Sequence, residues 1–94
     1  QQFWTTIGPI DILVINRDKS DFLVLELKRD RASDVVVGQT LRYMGWVKEH
    51  LCSAKQEVKG CIIAHAEDEK LQYALKQVPS IRFMKYEVDF RLVG

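Results

Sequence analysis

Two apolar runs separated by six polar residues decide most of what this chain can become. Ile10–Ile15 reads Ile-Asp-Ile-Leu-Val-Ile, and Phe22–Lys28 reads Phe-Leu-Val-Leu-Glu-Leu-Lys. Both runs are aliphatic on each face that a strand presents, the pattern of strands near the middle of a sheet covered on both sides. The intervening Asn16–Asp21, Asn-Arg-Asp-Lys-Ser-Asp, is hydrophilic and long enough to turn the chain back, yet too short for a crossover helix. An antiparallel hairpin inside an α/β fold is therefore expected.

Arg29 to Ser33 breaks the strand pattern, and Ser33 or Asp34 can cap the helix that follows. From Val35 to about Leu51, the residues Val37, Thr40, Leu41, Met44, Val47 and Leu51 recur at helical spacing and make one apolar stripe. Gln39, Arg42, Tyr43 and Trp46 make a second face, aromatic and polar together. Gly38 and Gly45 inside this helix suggest close approach to a neighbouring element. Val58–Ala66 reads as a third strand with a buried centre, ending near His65. Asp68 can cap a short helix with Leu71, Ala74, Leu75 and Val78 on one face, stopped by Pro79. Ile81–Val93 closes the chain as a half-exposed strand, alternating from Met84 onward and suited to a sheet edge or a dimer contact. The predicted order is β-β-α-β-α-β, a mixed central sheet flanked by helices.

At 94 residues the chain makes one domain, residues 1–94, whose core is small. An apolar content of 47% beside 29% charged residues excludes a disordered or fibrous protein. No run reaches the length of a membrane span and the opening residues lack a signal-peptide pattern, so a cytoplasmic protein is expected. Cys52 and Cys61 stand in neither a CxxC nor a Cys/His cluster, which leaves no disulfide framework or zinc site. His50 and His65 have no second ligand at metal spacing and read as ordinary structural or surface residues. The net charge of +1 decides nothing about nucleic acid, but Lys28, Arg29 and Arg31 cluster directly beside acids. The chain opens on Gln1 and enters its first strand almost at once, so a segment upstream is expected.

If the loop closes symmetrically, Ile15 faces Phe22, Val14 faces Leu23, and Asp11 stands opposite Glu26. Opposed residues carry their side chains on one face with Cβ atoms about 4.5–5.5 Å apart, and period two adds Lys28 about 6.5 Å further along. A one-residue slip would move Asp11 to the wrong face. Two carboxylates held so close repel one another and lose hydration, and they stay ionised only beside a counter-charge. Lys28 supplies part of it, and Mg²⁺ or Mn²⁺ would supply more, with the backbone carbonyl of Leu27 as a third oxygen. Such a cation would neutralise charge on a phosphoryl group, with Lys28 orienting the attacking water or the phosphate oxygens. The competing reading of Glu-Leu-Lys alone is a solvated strand end.

The same residues carry a resemblance. Gly8-Pro-Ile-Asp11-Ile-Leu-Val-Ile, Val24-Leu-Glu26-Leu-Lys28-Arg and Gly38-Gln39-Thr-Leu-Arg42-Tyr43-Met-Gly-Trp46 together resemble the PD-(D/E)XK nuclease superfamily. Within it they resemble the catalytic domains related to NucS-type endonucleases and to Mrr-like restriction enzymes. The match is close over the first half of the chain, and the remaining elements agree in order. The resemblance implies a restriction-endonuclease-like fold and metal-dependent hydrolysis of DNA. By position, Asp11 and Glu26 would bind Mg²⁺ or Mn²⁺, Lys28 would sit beside the attacking water, and Gln39 would reach the site with Tyr43 lining the same side. It further suggests branched, single-stranded or mismatched DNA as substrate. Ile10 departs from the family's frequent proline, and nothing before Phe3 supplies the family's first helix with its additional acid.

Arg29, Arg31 and Arg42 are the candidate phosphate contacts, the first two weighed against a plain solvated basic loop. Tyr43 and Trp46 are placed either to stack on an unpaired base or, for Trp46, to pack in the core. Phe3 and Trp4 are expected to cover a sheet edge or the hole left by residues absent upstream. No base-reading element is evident, so specificity is expected from a domain outside this chain. A non-catalytic binding or oligomerisation module, paired through the C-terminal strand as a homodimer, is the alternative to the enzyme.

Overall fold

The computed structural model describes residues 3–6, 8–15, 21–87 and 91–93, which leaves the expected loop before Asp21 outside the described residues. Its elements are β1 (Phe3–Thr5), β2 (Gly8–Ile10), β3 (Ile12–Ile15), β4 (Asp21–Ala32), α1 (Val35–His50), β5 (Glu57–Glu67), α2 (Glu69–Lys76) and β6 (Ile81–Lys85). β1 and β2 form a small hairpin, and the other strands form a four-stranded mixed sheet in the order β3-β4-β5-β6. β3 runs antiparallel to β4, while β4, β5 and β6 are mutually parallel. The hairpin register is the one that symmetric loop closure requires, from Ile15↔Phe22 to Ile12↔Leu25.

Two successive parallel crossovers step the same way across the sheet, and their right-handedness sends α1 and α2 to one face. The buried cluster lies on that face: Val24, Ile62, Ala64 and Ile81 from the strands, Val47 from α1 and Leu71 from α2. Gly60 is the point of closest approach. A Cβ there would lie 2.9 Å from both Met44 Sδ and Thr40 Cγ2. Thr40 is fully buried and satisfies its hydroxyl by donating to the Val36 carbonyl at 2.7 Å. The close approach expected at Gly38 and Gly45 is not found, since Gly45 has open space around it and Gly38 meets only Arg42.

The opposite face of the sheet departs from the expectation of cover on both sides. Val14 on β3, Leu27 on β4 and Met84 on β6 are 37%, 50% and 52% exposed, and no helix covers them among the described residues. The helix-covered side holds the fully buried Val24, whereas Leu23 and Leu25 on the other side are only partly buried.

Several boundaries move. The first run is split by a bend at Asp11, so Gly8–Ile10 pairs with Phe3–Thr5 and not with β4. Phe3 and Trp4 therefore belong to a strand of their own, on which Trp4 is 71% exposed. β4 does not stop at Lys28 but continues to Ala32, which puts Arg29 and Arg31 on a strand where a loop was expected. Asp34 is the N-cap of α1 without a side-chain cap bond, whereas Asp68 caps α2 as expected by accepting from the Leu71 N–H at 2.8 Å. The last strand ends at Lys85, and residues 91–93 carry no strand; residues 88–90 lie outside the described residues. Cys52 and Cys61 are both free thiols.

Candidate active site

The site sits where the β3–β4 pairing gives out. Asp11 is not a rung of the ladder. Its Oδ2 accepts a hydrogen bond from the Leu27 N–H at 2.9 Å, taking the place of a strand partner at the peptide bond that joins Glu26 to Leu27. This bend carries the carboxylate to the edge of β4 next to Glu26, close enough for its charge to act on Glu26.

Glu26 points to the helix-covered face, where it is only 2% exposed. Its Oε1 is buried without a hydrogen-bond partner, the single such side-chain atom among the described residues. Burial first, and the neighbouring Asp11 charge second, push its carboxyl up from 4.5 to about 7, against the opposing pull of Lys28. A buried, unsatisfied carboxylate oxygen is costly, and structures that retain one commonly use it.

Lys28 follows on the same face of β4. Its Nζ donates to Gln39 Oε1 at 3.3 Å, which joins the strand to the first turns of α1. Lys28 and Gln39 line an open cavity of about 210 Å³ with Arg31 and Ser33. Arg31 lies past the point where the β4–β5 register shifts, so that an extra residue stands between it and Lys28. Arg29, one residue past Lys28, is exposed and does not line that cavity.

The second face of α1 is divided by what lies over it. Tyr43 is only 6% exposed, with its hydroxyl against Gly8, whose φ of 127° and lack of a Cβ together permit the approach. Trp46 Nε1 donates to Thr6 Oγ1 at 2.8 Å, and its ring stacks on His50 at 4.5 Å. Both aromatic residues thus anchor the β1–β2 hairpin, and the buried Tyr43 ring offers no free surface to a base. Arg42 is exposed on α1. Sequence reasoning did not single out Tyr86, whose hydroxyl donates to the Arg29 carbonyl at 2.8 Å. No local motif marks it, because the contact joins positions far apart in the chain.

A mixed β-sheet of this order, with parallel crossover helices and an Asp, Glu-x-Lys constellation at the hairpin, is the restriction-endonuclease-like fold. The chain belongs to the family described as the Endonuclease NucS C-terminal domain, whose profile matches residues 1–89. Among solved structures, it is similar to a repair endonuclease from Pyrococcus abyssi, at 26% identity and a TM-score of 0.72 over 93% of this chain. It is also similar to EndoMS in a complex with dsDNA, at 24% identity and a TM-score of 0.72 over 97% of this chain. The apo form of EndoMS aligns over 96% of this chain with 24% identity and a TM-score of 0.71. In each case the match spans 38% of the length of the other protein. No curated protein matches the chain. Among the described residues, no helix is long and apolar enough to cross a membrane.

Proposed function

We propose that this domain is the catalytic core of a divalent-metal-dependent DNA endonuclease. The observation that carries the reading is the buried Glu26 carboxylate, with one oxygen unpartnered, held beside Asp11 and Lys28. Among the described residues no group of three or more His, Cys, Asp or Glu side chains gathers; the oxygens this chain would offer are those of Asp11, Glu26 and the Leu27 carbonyl. That donor set suits Mg²⁺ or Mn²⁺, which commonly keep several waters and take only one or two carboxylates. When bound, the cation supplies neutralisation of charge on the phosphoryl group and lowers the pKa of water.

The chain's own residues do the rest. Gln39 holds the Lys28 ammonium toward the cavity, where it can donate to a phosphate oxygen or orient the attacking water. Arg31 lines the same cavity, and its guanidinium would suit a phosphate of the DNA backbone. Arg29 and Arg42, both exposed, would meet the strand further out. The relatives described as a repair endonuclease and as a complex with dsDNA support DNA as the substrate. Branched, single-stranded or mismatched DNA is the substrate class suggested by the family likeness, with selection supplied by a domain outside this chain. β6 is one of the two edge strands of the described sheet, so a homodimer paired through it is compatible with this topology.

The test is nicking of labelled DNA by the full-length parent protein with and without Mn²⁺, set against Glu26→Ala. Metal-dependent cutting that the substitution abolishes is expected. Equal cutting by both proteins, or none by the parent, overturns the reading.

A further inference from the structure

The slip in the β4–β5 ladder does more than bend a strand. Lys28 pairs with Ala64 and Arg31 with Ala66, so Arg29 and Asp30 together stand against His65. In a regular strand, side chains three positions apart point to opposite faces. The extra residue puts Arg31 in register with Ala66, two places beyond the Ala64 that pairs with Lys28, and both Lys28 and Arg31 are among the residues that line one cavity. The position of Arg31 therefore depends on the bulge keeping its shape.

One side chain is placed to hold it. The Tyr86 hydroxyl donates to the carbonyl of Arg29, inside the bulge, at 2.8 Å. Tyr86 is itself fixed from the far side. Its N–H donates to the carbonyl of Ala64, the residue opposite Lys28, at 3.0 Å. Its ring packs on His65, the residue that faces the bulge, with centroids 5.5 Å apart and an angle of 46°. Three contacts thus tie one tyrosine, just beyond the end of β6, to both sides of the irregularity.

We propose that Tyr86 is a positioning residue that clamps the β4 bulge and thereby sets Arg31 toward the substrate phosphate. The proposal rests on the nuclease reading above, but the clamp can be measured apart from it. The phenol makes one hydrogen bond to the bulge, so its removal should shift the equilibrium between formed and unformed bulge by about fivefold, the factor an ordinary net hydrogen bond is worth. The ring contact with His65 and the backbone bond to Ala64 would remain in Tyr86→Phe, so the fold should persist.

The experiment is a double-mutant cycle in the full-length protein with Tyr86→Phe, Arg31→Ala and the combination. Binding of a labelled DNA duplex is measured in Ca²⁺, and cleavage in Mn²⁺. Amide hydrogen exchange at residues 29 to 31 is followed without DNA. Tyr86→Phe is expected to weaken binding and raise KM by up to about fivefold with kcat little changed, and to quicken exchange at the bulge by about fivefold. In the Arg31→Ala background it should add nothing. An equal loss in both backgrounds, or unchanged exchange at the bulge, overturns the clamp. A loss of stability alone would lower Tm without removing the effect when Arg31 is absent, and would also count against it. If the unsubstituted protein binds DNA but cuts none, the nuclease reading fails while the cycle on binding still decides the role of Tyr86. If it binds no DNA, the substrate role proposed for Arg31 and Tyr86 falls with it.

Discussion

Replacing Glu26 by glutamine should make the metal-free protein more stable above neutral pH, although it removes a residue central to the proposed chemistry. In the folded chain the Glu26 carboxyl titrates near 7 against an ordinary 4.5, because it is buried and faces Asp11. A folded-state pKa raised in this way contributes stability that is fully present below about 4.5 and lost as pH rises through about 7. At about 1.4 kcal/mol per unit, ionising Glu26 costs the folded state on the order of 3 kcal/mol once pH is well above neutral. Glutamine has nearly the same shape and cannot ionise, so other titrating groups cancel between the two proteins. Urea unfolding followed by tryptophan fluorescence, in EDTA, should give a stability difference that grows by about 2–3 kcal/mol in favour of the variant between about pH 5 and pH 8. Addition of Mn²⁺ should then raise the wild type and leave the variant unmoved, since only a ligand that binds the native state stabilises it. Parallel pH profiles for the two proteins would refute the argument, because they would mean that Glu26 ionises in the folded chain as easily as in water.

Three further substitutions test separate parts of the structure. Lys28→Met should lower metal-dependent cleavage by about 100-fold or more while leaving calorimetric Mn²⁺ binding within a few-fold, and undiminished cleavage would remove lysine from the chemistry. Gly60→Ala should destabilise by about 1–3 kcal/mol in chemical unfolding, because its methyl group would press on Met44 and Thr40 from only 2.9 Å. Asp68→Ala should cost about 1 kcal/mol through the lost cap of α2, read as a lower urea midpoint with an unchanged m-value.

What the amino-acid sequence makes legible here is what short-range rules govern. Period two and a symmetric loop fix the pairing from Ile15↔Phe22 onward, and with it the placement of Glu26 and Lys28 on one face. The spacing of Val37, Thr40, Met44 and Val47 fixes the buried side of α1, and Asp68 announces the start of α2. The features that escape are set by distant partners. Asp11 leaves the ladder because its carboxylate finds the Leu27 N–H, and nothing in Ile-Asp-Ile forecasts that choice. The register shift after Lys28 is fastened by Tyr86, 57 positions away. Gln39, Tyr43 and Trp46 share a helical face by spacing, yet Lys28, Gly8 and Thr6 respectively claim them. The alternation after Met84 continues as sequence, but β6 is assigned only as far as Lys85, opposite Ala64.

The bend at Asp11 gives one side chain two jobs. It ends the β3–β4 ladder by occupying an amide hydrogen that a further strand residue would otherwise seek, and it offers its charge to the site. An alanine there would erase an architectural stop along with the negative charge, and any fall in activity would conflate the two. Asparagine keeps an oxygen for the Leu27 amide while discarding the charge. The contrast between the two replacements separates the sheet's geometry from the chemistry proposed beside it.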